Sequence, residues 1–237
     1  MRNPIIVALD VPTAEQAVAL AEQVAPAVGA FKIGKELFTA AGPEVVRRIR
    51  ATGASVFLDL KFHDIPNTVA KAVASAVRLD VQMLTIHTSG GPAMMRAAEE
   101  SAQKTALQTG RAAPLVLGVT VLTSMDGNEL SAIGCDGNVG RQVERLAGLA
   151  MDCGLRGLVC SPLEIAALRQ IVPAHAQLVT PGIRTGAEKA DDQKRTLTPR
   201  EAMDAGASWL VIGRPINAAP NPRQAAEKIW ADLHRAA

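Results

Sequence analysis

Residues Ser55 to Thr68, SVFLDLKFHDIPNT, begin as a buried strand and end as something else. The first half is an apolar, β-favouring run of the kind that parallel sheets bury on both faces. Asp59 and Lys61 interrupt it. Residues two apart on a strand share a side, so Phe57, Asp59, Lys61 and His63 form one face, and Leu58, Leu60 and Phe62 the other. Asp64 falls where the strand should end, so alternation gives it no direction. A lone carboxylate or ammonium on a buried strand is costly, and pairing Lys61 with Asp59 lowers that cost.

Seven further apolar runs surround this one: Ile5–Asp10, Ala30–Gly34, Met83–Thr88, Leu115–Leu122, Gly157–Cys160, Gln177–Ile183 and Trp209–Ile216. Helical patterns separate them. Thr13 and Gln16 form a capping box before a helix to Val24. Pro43, after Gly42, suits the first turn of EVVRRIR. Asn67 or Thr68 opens a helix to Leu79, and Pro92–Ala106, Val139–Met151, Leu163–Ile171, Arg200–Ala205 and Arg223–His234 follow. Gly29, Gly53, Gly154 and Gly206 sit near helix ends, where a left-handed backbone suits glycine. Eight strand–helix units predict an α/β fold with a closed parallel sheet, a (β/α)8 TIM barrel, with residues 1–237 as a single domain. The alternative is an open doubly wound sheet, but no GxGxxG follows the first run.

Composition removes several functions. The 237 residues are 48% hydrophobic, and 25 basic against 23 acidic residues leave a charge of +2. That balance, with no long basic tract, argues against a nucleic-acid partner; Arg47, Arg48 and Arg50 read as a solvated helix face. Cys135, Cys153 and Cys160 are odd in number and form no CxxC, which fits a reducing cytoplasm. Asp10 interrupts the first apolar run too early for a signal peptide, and no run reaches the ~18 apolar residues of a membrane span. His63, His87, His175 and His234 are scattered in no zinc motif.

Barrels gather their binding groups at the C-terminal ends of the strands. Asp10 closes the first run, Lys32 lies in the second, Asp59 and Lys61 lie in the third, and Asp64 lies just beyond. These charges either satisfy one another as rim ion pairs or are held for chemistry. Their spread over three successive strands favours chemistry. The seventh run ends in TPGIR, with Gly182 and Arg184, and the eighth in IGRPI, with Gly213 and Arg214. Barrels often bind phosphate after strands seven and eight, where glycine bares backbone N–H groups and arginine offers a planar fork. Two loops stand out: Thr123 to Asn138, rich in Gly, Asn, Asp and Ser, and Pro181 to Thr198, whose charges suit a mobile lid. The residues alone thus predict an enzyme for a small phosphorylated substrate, without fixing the reaction.

The pattern resembles the orotidine 5'-phosphate decarboxylase family. It is carried by ALD at Ala8–Asp10, KIGKELF at Lys32–Phe38, DLKFHDIPNT at Asp59–Thr68 and HTSGG at His87–Gly91. LTS at Leu122–Ser124, TPGIR at Thr180–Arg184, Gln193 with its flanking charges, and IGRPI at Ile212–Ile216 complete it. The most specific element is D-x-K-x-x-D-I-P-N-T. The resemblance implies decarboxylation of orotidine 5'-monophosphate to uridine monophosphate (UMP), the last step of de novo pyrimidine synthesis, without metal or cofactor. It implies a catalytic Lys-Asp-Lys-Asp array of Lys32, Asp59, Lys61 and Asp64. Asp64 and Thr68 are expected to reach the partner's site in a homodimer. Asp10 and Lys32 are expected at the ribose, and Thr123 or Ser124 at the pyrimidine edge. Gln193 is expected to bridge base and phosphate, and Arg184, Gly213 and Arg214 to hold the phosphate.

Two rivals remain. The first is a metal-dependent sugar-phosphate decarboxylase or aldolase on the same barrel; keto-gulonate-phosphate decarboxylases share the D-x-K-x-x-D run but typically carry an acid where this chain has Lys32. A non-catalytic nucleotide-binding barrel is disfavoured by the intact Asp59, Lys61 and Asp64.

Overall fold

Each of the eight apolar runs becomes a strand that starts within one residue of its expected position. The computed structural model describes residues 3–185 and 196–234. The strands are β1 Ile5–Ala8, β2 Ala30–Gly34, β3 Val56–Phe62, β4 Met83–His87, β5 Leu115–Val119, β6 Gly157–Val159, β7 Gln177–Thr180 and β8 Trp209–Ile212. Each pairs in parallel with its neighbours in chain order, and β8 returns to β1, closing the barrel. This is the expected (β/α)8 architecture.

Alternation along the strands separates two apolar cores. Ile6, Ala8, Ala30, Phe57, Met83, Leu117, Val179, Trp209 and Val211 pack together inside the barrel. Ile5, Val7, Leu9, Phe31, Ile33, Leu58, Leu84 and Ile86 belong to the outer core, under the helices. Burying one such Ile, Leu or Phe contributes roughly 1.5–3 kcal/mol. Inward-facing positions nearer the strand C-termini change character: Lys32 follows Ala30, Asp59 follows Phe57, and Thr85 follows Met83. The polar layer therefore lies on top of a sealed apolar one.

The outer layer comprises α1 Ala14–Val24, α2 Lys35–Ala41, α3 Glu44–Ala51, α4 Pro66–Arg78, α5 Gly91–Thr109, α6 Gly127–Ala132, α7 Val139–Asp152, α8 Ile165–Ile171, α9 Pro199–Asp204, α10 Arg214–Asn217 and α11 Pro222–His234. None of the described helices is long and apolar enough to cross a membrane.

Several expectations need correction. At α1 only half of the capping box forms: Thr13 Oγ1 accepts from the Gln16 amide at 3.3 Å. Gly53, Gly154 and Gly206 have positive φ, whereas Gly29 does not. Gly29 is constrained by crowding, because a Cβ there would collide with the Asn3 carbonyl oxygen. Arg50 is not simply solvated: it holds Asp80 at 2.6 Å and donates to the Ala54 carbonyl, tying α3 to the base of the barrel. Arg47 and Arg48 do pair at the surface, with Glu44 and Glu15. α2 was not anticipated, and α6 forms inside the expected Thr123–Asn138 loop.

Candidate active site

The C-terminal strand ends enclose a cavity of about 730 Å3. Strands β2 and β3 supply Lys32, Asp59 and Lys61 to its wall, and Asp10 joins them from just past β1. The segments after β5, β7 and β8 supply Thr123, Ser124, Gly182, Arg184, Gly213 and Arg214. Ala8, Phe57 and Val211, from the inner core, also line it.

The charges on β1 to β3 alternate in sign along a chain of contacts. Lys32 Nζ lies 3.2 Å from Asp10 Oδ1 and 4.0 Å from Asp59 Oδ2. Lys61 Nζ lies 2.8 Å from Asp59 Oδ1. The side chains of Lys32 and Asp59 are only 13% and 14% exposed. The pairs that Asp59 makes are deep enough to give up much of their Coulombic gain to desolvation, so they add little to stability. Their value lies in presenting fixed charges to whatever enters the cavity.

The backbone beneath the array is irregular. Between β3 and β4, Leu58 faces Leu84 and Phe62 faces Ile86, so Asp59, Leu60 and Lys61 stand opposite the single residue Thr85. Lys61 has φ +51°, in the left-handed region, which costs a side-chain-bearing residue about 1–2 kcal/mol. Asp59 and Lys61 still share the cavity face, as the sequence predicts. His63 leaves it: the residue is exposed, with its ring 5.5 Å from that of His87.

Three of the four expected array members come together, and Asp64 does not. Its Oδ1 accepts from the Ile65 amide at 2.6 Å, outside the cavity wall. Asp64, Ile65, Pro66, Asn67 and Thr68 form an exposed stretch, with Ile65 67% exposed. Thr68 likewise does not line its own chain's cavity. Gln193, and most of the charges of the expected lid, lie outside the described residues. The two ends of that segment are joined by a bridge between Ile183 and Leu197, with the Arg184 amide donating to the Leu197 carbonyl at 3.0 Å.

Two neighbouring groups are set by burial. The His87 pKa is lowered to about 4 by burial first and then by the positive charges of His63, Lys61 and Lys35. It is therefore neutral at pH 7. The Cys160 thiol is pushed up to about 12, first by burial and then by Glu164. It remains protonated and inert as a nucleophile.

The sequence reading missed three residues. Gly34 leaves room for the array, since a Cβ there would lie 2.9 Å from Lys32 Nζ. Asn217 lines the cavity while its Nδ2 donates to the Ala8 carbonyl, joining α10 to β1. Thr85 is fully buried behind Asp59, and its hydroxyl donates to Asp59 Oδ1 at 3.0 Å. A threonine between apolar residues at an inward position of β4 was a legible signal.

Residues 3–229 match the orotidine 5'-phosphate decarboxylase / HUMPS family. The chain belongs to that family. It is 50% identical over 232 residues to orotidine 5'-phosphate decarboxylase of Pseudomonas fluorescens (strain SBW25), with 98% of each chain covered. The corresponding protein of Pseudomonas fluorescens (strain Pf0-1) is 51% identical over the same length and coverage. The crystal structure of orotidine 5'-phosphate decarboxylase from Lactobacillus acidophilus matches with a TM-score of 0.88 at 34% identity, covering 98% of this chain and 100% of that one. The resemblance read from the D-x-K-x-x-D-I-P-N-T run thus extends over nearly the whole chain, and the family's barrel is the one described above.

Proposed function

We propose that this chain, acting as one barrel domain over residues 1–237, decarboxylates orotidine 5'-monophosphate to UMP and CO2 in pyrimidine biosynthesis. The observation that carries the reading is the Lys61 ammonium, held 2.8 Å from Asp59 in the wall of a closed-bottomed cavity. Loss of CO2 from C6 of the pyrimidine leaves an electron pair that the ring delocalises poorly. A fixed ammonium beside C6 stabilises that charge as it forms and then supplies the proton, giving the C6–H of UMP. Asp59 orients Lys61 and, lying near the substrate carboxylate, raises the energy of the bound ground state. Lys32 holds Asp59 from the other side and, with Asp10, meets the ribose hydroxyls.

Thr123 takes the pyrimidine edge. Arg184, Gly213, Arg214 and Gln193 take the phosphate, whose binding energy contributes to catalysis from a distance. Asp64 completes the array, and Thr68 the ribose site, in a partner copy. That role suits their exposure and their absence from their own cavity wall. The working form is then a homodimer with two shared sites, in the cytoplasm. A strictly monomeric, fully active protein in sedimentation runs with and without a UMP analogue would refute the sharing.

The metal-free reading rests on Lys32. Its ammonium occupies the space between Asp10 and Asp59, the two carboxylates that a cation would have to use. The test is a chelator-treated assay with orotidine 5'-monophosphate, following ultraviolet loss and confirming UMP and CO2. Stoichiometric conversion is expected. Folded protein that converts nothing until magnesium and a sugar phosphate are supplied refutes the reading.

A further inference from the structure

Lys61 is tied to Asp59 twice, once through its ammonium and once through its backbone. The Lys61 amide donates to Thr85 Oγ1 at 2.8 Å. The Thr85 hydroxyl then donates to Asp59 Oδ1 at 3.0 Å, and that same oxygen accepts from Lys61 Nζ at 2.8 Å. The hydrogen bonds close a ring in which one hydroxyl is acceptor for the strained residue and donor to its partner. Thr85 is 0% exposed and does not line the cavity, so it touches no substrate.

The position explains why one side chain can do both. Three residues of β3, Asp59 to Lys61, oppose Thr85 alone across the register shift. In a regular ladder each inward residue would face its own neighbour. Here the extra length of β3 arches over β4, and Thr85 stands under the arch. A left-handed backbone at a non-glycine residue persists only where its surroundings over-determine it. The Thr85 hydroxyl is the group that satisfies the Lys61 amide in that conformation. A hydroxyl is needed because the site requires an acceptor and a donor on one atom.

We infer that Thr85 is a positioning residue for the proton donor: its hydroxyl fixes the Lys61 backbone and the Asp59 carboxylate together, so that the ammonium is held in one place before substrate arrives. The inference rests on the proposed role of Lys61. Its effect falls on the chemical step, because preorganised charge acts in the transition state while the phosphate and ribose contacts are untouched.

The experiment compares Thr85→Val, which keeps the shape and removes the hydroxyl, with Thr85→Ser, which keeps the hydroxyl. Thermal melting first establishes that each is folded. The expected result is a fall in kcat of at least about 30-fold for T85V with KM within about threefold, and a T85S enzyme within about threefold of the parent. A T85V enzyme as fast as the parent overturns the inference, as does an equal loss in both variants, which would mark simple packing. Should valine leave the protein unfolded, Thr85→Cys supplies a weak hydrogen-bonding group of serine's size. At least a tenfold loss relative to T85S is expected, and parity overturns the inference. A parent enzyme without decarboxylase activity would defeat the functional reading instead. In that case a crystal structure of T85V decides the clamp: Lys61 leaving the left-handed region supports it, and Lys61 unchanged with Nζ still near Asp59 Oδ1 overturns it.

Discussion

The two walls of the cavity are built on different principles. The wall from β1 to β3 is made of side chains on paired strands or, for Asp10, just past one, and its charges, two lysines against two aspartates, cancel among themselves. The wall after β5, β7 and β8 is made of loop residues, glycine and two guanidinium groups, with Arg214 and Asn217 supplied by α10. One holds charges against each other across the strand ladder, and the other presents donors from segments beyond it. The difference suits a reaction in which charge develops at one end of a substrate while a constant anionic handle is gripped at the other.

The largest break in this comparison comes from Lys61→Ala. Turnover should fall by at least about 10^3-fold, combining lost proton donation with lost charge stabilisation, while thermal melting shows an intact fold. Near-normal turnover by folded protein would remove Lys61 from the chemistry. Next is Arg214→Ala on the other wall. It should lower kcat/KM for the phosphorylated substrate by about 10^2-fold and leave the slow reaction of the phosphate-free nucleoside unchanged. Equal losses on both substrates would reject a phosphate role. A smaller effect is expected from Gly182→Ala. Gly182 has φ +81°, and a side chain there costs about 1–2 kcal/mol, lowering Tm by about 2–8 °C. An unchanged Tm would show that this loop relaxes at no cost.

The smallest effect concerns His87, at the C-terminal end of β4 beside His63. The unfolded chain takes up a proton near the ordinary value of 6.5, while the folded chain takes one up only near 4. The stability it contributes is therefore present in full above 6.5 and is lost as pH falls from 6.5 toward 4. Its first cause is burial, and its second the nearby positive charges. His87→Gln should flatten that part of the Tm–pH curve, and an unaltered slope would reject the assignment.

How well the sequence could be read followed the same division. Strand starts were legible because the lower barrel layer is apolar and regular. Strand ends were overrun in most cases: Leu9–Asp10, Thr120–Leu122 and Pro181–Ile183 lie past the ends of their strands, and Arg214–Ile216, expected as strand, belong to α10. Hydrophobicity reports burial, and Leu9, Val121 and Ile216 are buried beyond the ends of their ladders. α2 escaped because it follows β2 directly, with Gly34 as its N-cap residue and no side-chain cap to mark where it starts. α6 escaped inside a polar stretch, although Asp126 and Glu129, three apart, spelled out the capping box that forms there. For the site, the pairing of Lys61 with Asp59 and of Lys32 with an acid was legible from the cost of isolated charge. The left-handed turn at Lys61 was not, because lysine carries no local preference for it and the long-range partner, Thr85, imposes it.

The contact between Asn217 and the Ala8 carbonyl spans 209 residues of sequence. It lies where β8 closes against β1, so neither the seam nor the wall supplied by Gly213, Arg214 and Asn217 can form until those residues have been made. At about 5–20 residues per second, the open edge of β1 waits on the order of 10–40 s for its final neighbour. Through that interval β1 can have its β2 neighbour but not its β8 one, and the cavity lacks the residues that follow β8.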